Sequence, residues 1–293
     1  MNPQENSEDT NKSSNEKINN NDPLEQIERA DDRQGDEINL DEEDDEILDR
    51  IQAPAWEKIK AKKNRQKRLS EMKAMLTLNL ANPYESFFEM ANLIMNHFKC
   101  SVGNKDVRFT ELEFYLKCNS HSDHSVHCDS LQLEYGKWYF HRSSKTHKIK
   151  VANRKGVDLT FGDIKEKIYG GILIRAFQYC SSEKYVYGPS KVVDEILELT
   201  YISSLKELQG TSVFDNPIFR IVPEYLPNMQ VYSGPRVHIN TKNNGYNDDP
   251  YRFYIMPLLE HTDKEKYLMP SLIKQGYSKE EVMKVFGRKT LNL

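Results

Sequence analysis

Apolar residues recur at Phe87, Phe88, Met90, Ala91, Ile94, Met95 and Phe98, the spacing of a helix with one buried face, and predict a helix over 84–98. Asn82-Pro83 breaks the pattern before it. Shorter runs predict strands at 106–117, 131–142, 171–178, 229–239 and 251–257, the last two separated by the polar loop 243–249. Gly188-Pro-Ser190 reads as a turn into a second helix, with Ser190 as its cap and Val192, Val193, Ile196, Leu197 and Leu199 as one apolar stripe. Ser278-Lys-Glu-Glu281 is a capping-box pattern that opens a last short helix. There is no internal repeat and no regular alternation of strand and helix. The expected fold class is therefore α+β: a single domain with a mixed, largely antiparallel curved sheet flanked by helices.

The periodic pattern is missing before residue 50, and so are aromatic residues, which predicts a disordered tail. Charge divides the chain in the same place. Residues 1–50 hold 18 Asp/Glu against 5 Lys/Arg, and the remainder holds 27 against 36. A net charge of −4 thus conceals an acidic tail on a basic body, and a basic body is compatible with nucleic acid. Trp56–Arg68 is helix-prone and strongly basic: either a nuclear-import or phosphate-binding stretch, or an exposed helix face. The expected organisation is an acidic tail over 1–52, a basic helical segment over 53–80, an α+β domain over 81–260 and a C-terminal helical extension over 261–293. Four cysteines in 293 residues are too few for a disulfide scaffold and point to a reducing compartment. No apolar run approaches a membrane span, and the polar, Asn-rich start does not read as a signal peptide.

Candidate chemistry centres on Arg108–Tyr115, where alternation puts Glu111, Glu113 and Tyr115 on one strand face. A carboxylate near Tyr, His and Arg has the composition of a general base for water, although a strand Glu is more often solvated. Cys118, His121, His124, His127 and Cys128 suit zinc by type, but their spacing matches no zinc finger, and a polar loop with one or two functional histidines is the plainer reading. Arg175 lies inside an apolar run, so it either pairs with Glu113 in the interior or reaches solvent from an edge strand. Gly188-Pro-Ser-Lys191 lacks the spacing of a phosphate-binding P-loop, and Asp158-Leu-Thr-Phe-Gly162 has no Gly-rich loop before it to support a kinase reading.

Taken in order, several segments resemble the alkyladenine (3-methyladenine) DNA glycosylase family. They are Glu111-Leu-Glu113-Phe-Tyr115, His124 eleven residues after Glu113, and Tyr135-Gly136-Lys-Trp138-Tyr139-Phe140. Leu173-Ile-Arg175-Ala176, Gly188–Lys191, Pro235-Arg236-Val237 and Arg252-Phe253-Tyr254 follow. The resemblance spans about 84–257. It implies hydrolysis of the N-glycosidic bond of alkylated or deaminated purines flipped out of duplex DNA, with no cofactor and no metal. It implies Glu113 as the general base for the attacking water, with Arg175 holding that water and balancing the carboxylate. Tyr115 would stack on the flipped base, His124 would hydrogen-bond it, Tyr135 would wedge into the duplex, and Val237 would lie beside the water through its backbone.

Two positions depart from the family. Gln132 replaces a second stacking Tyr, and Arg142 falls on a pocket Asn that screens out guanine. Arg142 would then fill the base pocket, alter its specificity or abolish activity. Residues 143–169 form an insertion, beside which Trp138 and His141 are alternative pocket walls. The expected partner is duplex DNA, bound by a monomer in the nucleus, or in the cytoplasm of an organism without one. No membrane is expected, and the acidic tail is available to a protein partner. The competing expectation is a module of the same fold that binds nucleic acid or protein without catalysis.

Overall fold

Asn82 starts the first helix, α1 (Pro83–His97), by accepting the backbone N–H of Glu85 on its side chain, and Pro83 supplies a residue already fixed in helical φ. The buried face carries Phe87, Met90, Ala91, Ile94 and Met95, while Phe88 is only half-buried. At the other end Arg108 takes up orphaned acceptors: its Nε donates to the carbonyl of Met95 at 2.8 Å and its Nη2 to Asn96 Oδ1 at 2.6 Å. The helix therefore stops at Phe98, where the backbone becomes extended.

This computed structural model describes residue 70 and residues 78–290, apart from 144–145, 153, 225 and 240–244. They belong to one compact unit, Ala53–Leu293. The expected disordered tail lies outside the described residues, as does nearly all of the basic segment.

Ten strands form one sheet: β1 (Phe98–Val102), β2 (Lys105–Cys118), β3 (His121–Ser122), β4 (Tyr135–Phe140), β5 (Val157–Phe161), β6 (Tyr169–Tyr179), β7 (Tyr185–Tyr187), β8 (Phe219–Pro223), β9 (Tyr232–Gly234) and β10 (Arg252–Tyr254). The main path runs β4-β5-β6-β2-β1-β8, and the named strands pair antiparallel. The sheet curls into a half-barrel flanked by helices, the α+β class expected from the sequence. The 14-residue β2 is its spine. One edge of β2 pairs with β6, and the other pairs in turn with β1, β10 and β3.

A register irregularity between Phe109 and Leu112, opposite Ala176, changes the phase of β2. Val107 and Phe109 before it, and Leu112, Phe114 and Leu116 after it, all enter the same core, where Phe87 of α1 stacks on Phe114 at 4.8 Å. The change turns Glu111, Glu113 and Tyr115 to the other face.

Three further helices complete the fold: α2 (Pro189–Thr200) against β6 and β7, α3 (Met269–Lys274) against β9, and α4 (Lys279–Val285) against α3. Leu268, Met269, Leu272, Val282 and Phe286 join Tyr254 in a small second core, and the Ser278 capping box forms as expected.

Several local expectations are corrected. The strand expected over 131–142 begins as a 3-10 turn, Ser130–Leu133, because the Asp129 and Gln132 side chains reciprocally cap it. The strand expected over 229–239 shrinks to three residues, since Pro235 has no N–H to continue the ladder. Gly188, at φ 96°, holds the cap position of α2, and Ser190 instead donates to the carbonyl of Lys155. The segment read as an insertion contains β5, an entirely buried strand between β4 and β6.

Candidate functional site

The polar face of β2 carries a buried charge cluster. Arg175, from the interior strand β6, donates Nε to Glu111 Oε1 at 2.7 Å and Nη1 to Glu113 Oε2 at 3.1 Å. The interior pairing is the one adopted, and the edge-strand alternative is excluded. Arg252 of β10 reaches the same Glu111 oxygen at 2.8 Å, and His261 Nδ1 meets Oε2 at 2.6 Å. Burial pushes the Glu111 carboxyl up, but Arg252, His261 and Arg175 outweigh it and hold it well below the usual carboxylate range. Arg175 is likewise held charged: burial opposes its charge, and Glu113 and Glu111 override that.

Glu113 is fully buried and its carboxylate is enclosed. Tyr115 donates its hydroxyl to Oε2 at 2.8 Å, and the backbone N–H of Val237 donates to Oε1 at 3.2 Å. Burial, then the Glu113 charge, push the Tyr115 phenol well above its ordinary value, so it stays a donor. Arg236, next to Val237, stacks over the Tyr115 ring at 4.7 Å and is anchored by buried Asp123 and by the carbonyl of Phe114.

Above this layer lies a cavity of about 960 Å³. Tyr115, His124 and Arg142, the three residues assigned to a base pocket by resemblance, all line it. Arg142 does not fill it, because Nη1 is drawn to the Asp129 carboxylate at 3.2 Å. Gln132, at the position of the missing Tyr, is buried in the lining and donates Nε2 to Asp158 at 3.4 Å.

Of the other lining residues, the sequence offered His141 as an alternative wall and His127 as a candidate zinc ligand, and gave no role to Asp158, Tyr139, Lys150 or Arg154. His141 Nε2 meets Asp158 Oδ1 at 2.7 Å, and Asp158 is nearly inaccessible. His127 shares a hydrogen bond with the hydroxyl of Tyr139 at 3.0 Å and packs edge-on against His141 with ring centroids 4.5 Å apart. Burial first, and then the neighbouring His141, lower the His127 imidazole to about 4, so it is neutral at pH 7. Lys150 and Arg154 also line the cavity; Lys150 is lowered by burial and then by Arg154, which places two cations side by side.

Other sequence expectations fall elsewhere. Trp138 is no pocket wall: it is fully buried, stacks on Phe219 and donates Nε1 to the carbonyl of Phe219 at 2.7 Å. Tyr135 is half-buried against Phe214 and stands outside the cavity lining. The five candidate zinc ligands are dispersed. His121 stacks on Tyr246 at 3.8 Å, Cys118 contacts Ser120, and His124, His127 and Cys128 face the cavity. Among the described residues no group of three or more His, Cys, Asp or Glu is placed to hold a metal ion. Arg236, Arg252 and His261 were missed as cluster members. The signal for the two arginines was the one used for Arg175, a guanidinium inside a strand-like run.

No family model matches the chain. Over 185 residues it is 31% identical to an uncharacterized protein of Acanthamoeba polyphaga mimivirus, a stretch covering 58% of this chain and 85% of the viral one.

Proposed function

We propose, for a chain that belongs to the same family as this mimivirus protein, a DNA N-glycosylase activity that removes a damaged purine flipped out of duplex DNA. One observation carries the reading. Tyr115, His124 and Arg142 come from three separate segments and line one cavity roomy enough for a nucleotide. Chemistry on a base requires it outside the stack, and an aromatic wall stabilises it there by about 1–3 kcal/mol. In this reading the base stacks on Tyr115 and hydrogen-bonds His124. Glu113, steadied by Arg175, takes the proton of the attacking water once the Tyr115 hydroxyl has swung off it. Carboxylate charge beside C1′ also stabilises the oxocarbenium character that develops on the sugar.

A second reading draws on the enclosure of Glu113. Its carboxylate is inaccessible and already accepts from Tyr115, Arg175 and Val237. If that arrangement is permanent, the protein binds nucleic acid without cutting the glycosidic bond.

A labelled duplex carrying ethenoadenine or hypoxanthine, scored for alkali-labile abasic sites, separates the two. Base release that drops by about 10²–10⁴-fold in Glu113→Gln supports the enzyme with Glu113 as base. Release that survives the substitution removes Glu113 from that role. Duplex binding with no product on any lesion supports the second reading.

A further inference from the structure

We propose that Arg142 tunes the cavity to uncharged bases: by occupying Asp129 it denies a positively charged purine its counter-charge, so the cavity takes neutral purines and turns away cationic ones. The proposal rests on reading the cavity as the seat of a flipped base, and not on cleavage of that base.

A cation leaving water needs a free carboxylate or an open aromatic face. The carboxylates under the cavity are already matched. Asp123 holds Arg236, Glu113 accepts from Arg175, and Glu111 is shared by Arg175, Arg252 and His261. Two carboxylates belong to the lining itself, Asp158 and Asp129. Asp158 is buried, with Oδ1 on His141 Nε2 and Oδ2 approached by Gln132 Nε2. Asp129 is only half-buried, so it is the carboxylate that a guest could reach. Its place is fixed, because Oδ1 accepts the N–H of Leu131 at 3.1 Å and the side chain caps the 3-10 turn. Arg142 Nη1 lies 3.4 Å from Oδ1 and 3.2 Å from Oδ2, and so cancels the one reachable negative charge of the lining.

The aromatic wall does not make up the deficit. Arg236 sits over the Tyr115 ring, 4.7 Å from its centroid, and is buried outside the cavity lining. A positive charge therefore already backs the ring, and a second cation stacked on the cavity side would be repelled by the first. Burial, then the Glu113 charge, keep the phenol protonated, so the wall holds no phenolate. Tyr139, the other phenol of the lining, is engaged with His127 through its hydroxyl and its ring. Lys150 and Arg154 add positive charge, and a single DNA phosphate between them would leave no surplus negative charge for the base. An uncharged purine meets none of these penalties and keeps its stacking on Tyr115.

The test compares two bases that differ in charge and share a shape. 1-Methyladenine is cationic at neutral pH, and 1-methylhypoxanthine is not. Both carry the same methyl group and neither forms a Watson–Crick pair, so the cost of flipping is matched. Duplexes bearing one or the other compete with a labelled undamaged duplex for the full chain, read by anisotropy. The wild type is expected to bind 1-methylhypoxanthine about 10-fold more tightly than 1-methyladenine. Arg142→Gln leaves Asp129 unmatched and is expected to reduce that ratio to about 2-fold or less. Asp129→Asn leaves the guanidinium unmatched, is expected to widen the ratio, and serves if Arg142→Gln does not fold. Phosphate contacts are common to both duplexes and cancel in the ratio. Equal binding of the two bases by the wild type, no preference for either over undamaged DNA, or a ratio that neither substitution moves overturns the proposal. Base release from ethenoadenine or hypoxanthine duplexes decides the glycosylase reading separately, since the binding ratio does not depend on it.

Discussion

Tyr115 donates its hydroxyl to Glu113 at 2.8 Å while its ring lines the cavity, so one side chain both closes off the carboxylate and forms the pocket wall. Tyr115→Phe separates the two functions. The ring and its contact with Arg236 remain, and Glu113 keeps Arg175 and the Val237 N–H. A hydrogen bond to a charged group contributes about 1.5–3 kcal/mol, and the variant is expected to lose stability in that range by urea unfolding. An unchanged midpoint would show that water replaces the hydroxyl, and hence that Glu113 is already within reach of solvent.

Two buried groups shape the acid side of the stability curve. His127 sits near 4 in the folded chain against an ordinary value of 6.5, so between those values the unfolded chain binds a proton that the folded one lacks. Stability is therefore lost as pH falls through that window. Glu111 acts lower: its contribution is fully present above an ordinary carboxyl value of 4.5 and is lost as pH falls through the much lower folded value. Urea midpoints across pH should decline in two stages. His127→Gln is expected to flatten the upper stage only. Glu111→Gln should flatten the lower stage and cost about 3–5 kcal/mol at neutral pH, because Arg175, Arg252 and His261 lose their shared partner.

What the sequence made legible follows from range. Alternation placed Glu111, Glu113 and Tyr115 on one face, and the apolar spacing of Val107, Phe109, Leu112, Phe114 and Leu116 records the phase change that turns them from the core. The Glu113–Arg175 pair was readable because an arginine in an apolar run demands a partner. The His141–Asp158 pair was not. It depends on β4 and β5 pairing across a long connection, with Tyr139 opposite Asp158, and alternation does not fix which residues face each other. His261 on Glu111 and Arg236 on Asp123 are more distant still, and no local pattern specifies them.

Gly171 tests how tightly the cavity wall is built. A methyl group there would lie 2.7 Å from Asp158 Oδ2 and 3.1 Å from Gln132 Nε2. The strand cannot yield easily, because β6 is paired on both sides. Asp158 must therefore move. Gly171→Ala is expected to destabilise the protein by about 1–3 kcal/mol and to shift the NMR signals of His141 while leaving those of the distant Tyr254 core unaffected. Full stability with an unperturbed His141 would mean that the wall has room to relax.

Lys150 and Arg154 stand together at the cavity with no salt bridge to a carboxylate among the described residues, whereas Arg142 is paired with Asp129 and Lys155 with Asp194. Two adjacent cations repel each other, and Lys150 carries that cost in a lowered affinity for its proton after burial. A phosphate placed between them relieves the repulsion, and on a duplex that phosphate would flank the nucleotide occupying the cavity. Each phosphate contact releases about one counterion, so the logarithm of the binding constant should fall against the logarithm of salt with a slope of about 0.9 per contact. Lys150→Ala and Arg154→Ala are each expected to weaken binding of an undamaged duplex at low salt and to reduce that slope by about 1. Arg142→Ala, which removes a cation already neutralised by Asp129, should change the slope less. Fluorescence anisotropy with a labelled duplex across a salt series measures all three, and equal slopes for wild type and both lip variants would exclude phosphate from this edge of the cavity.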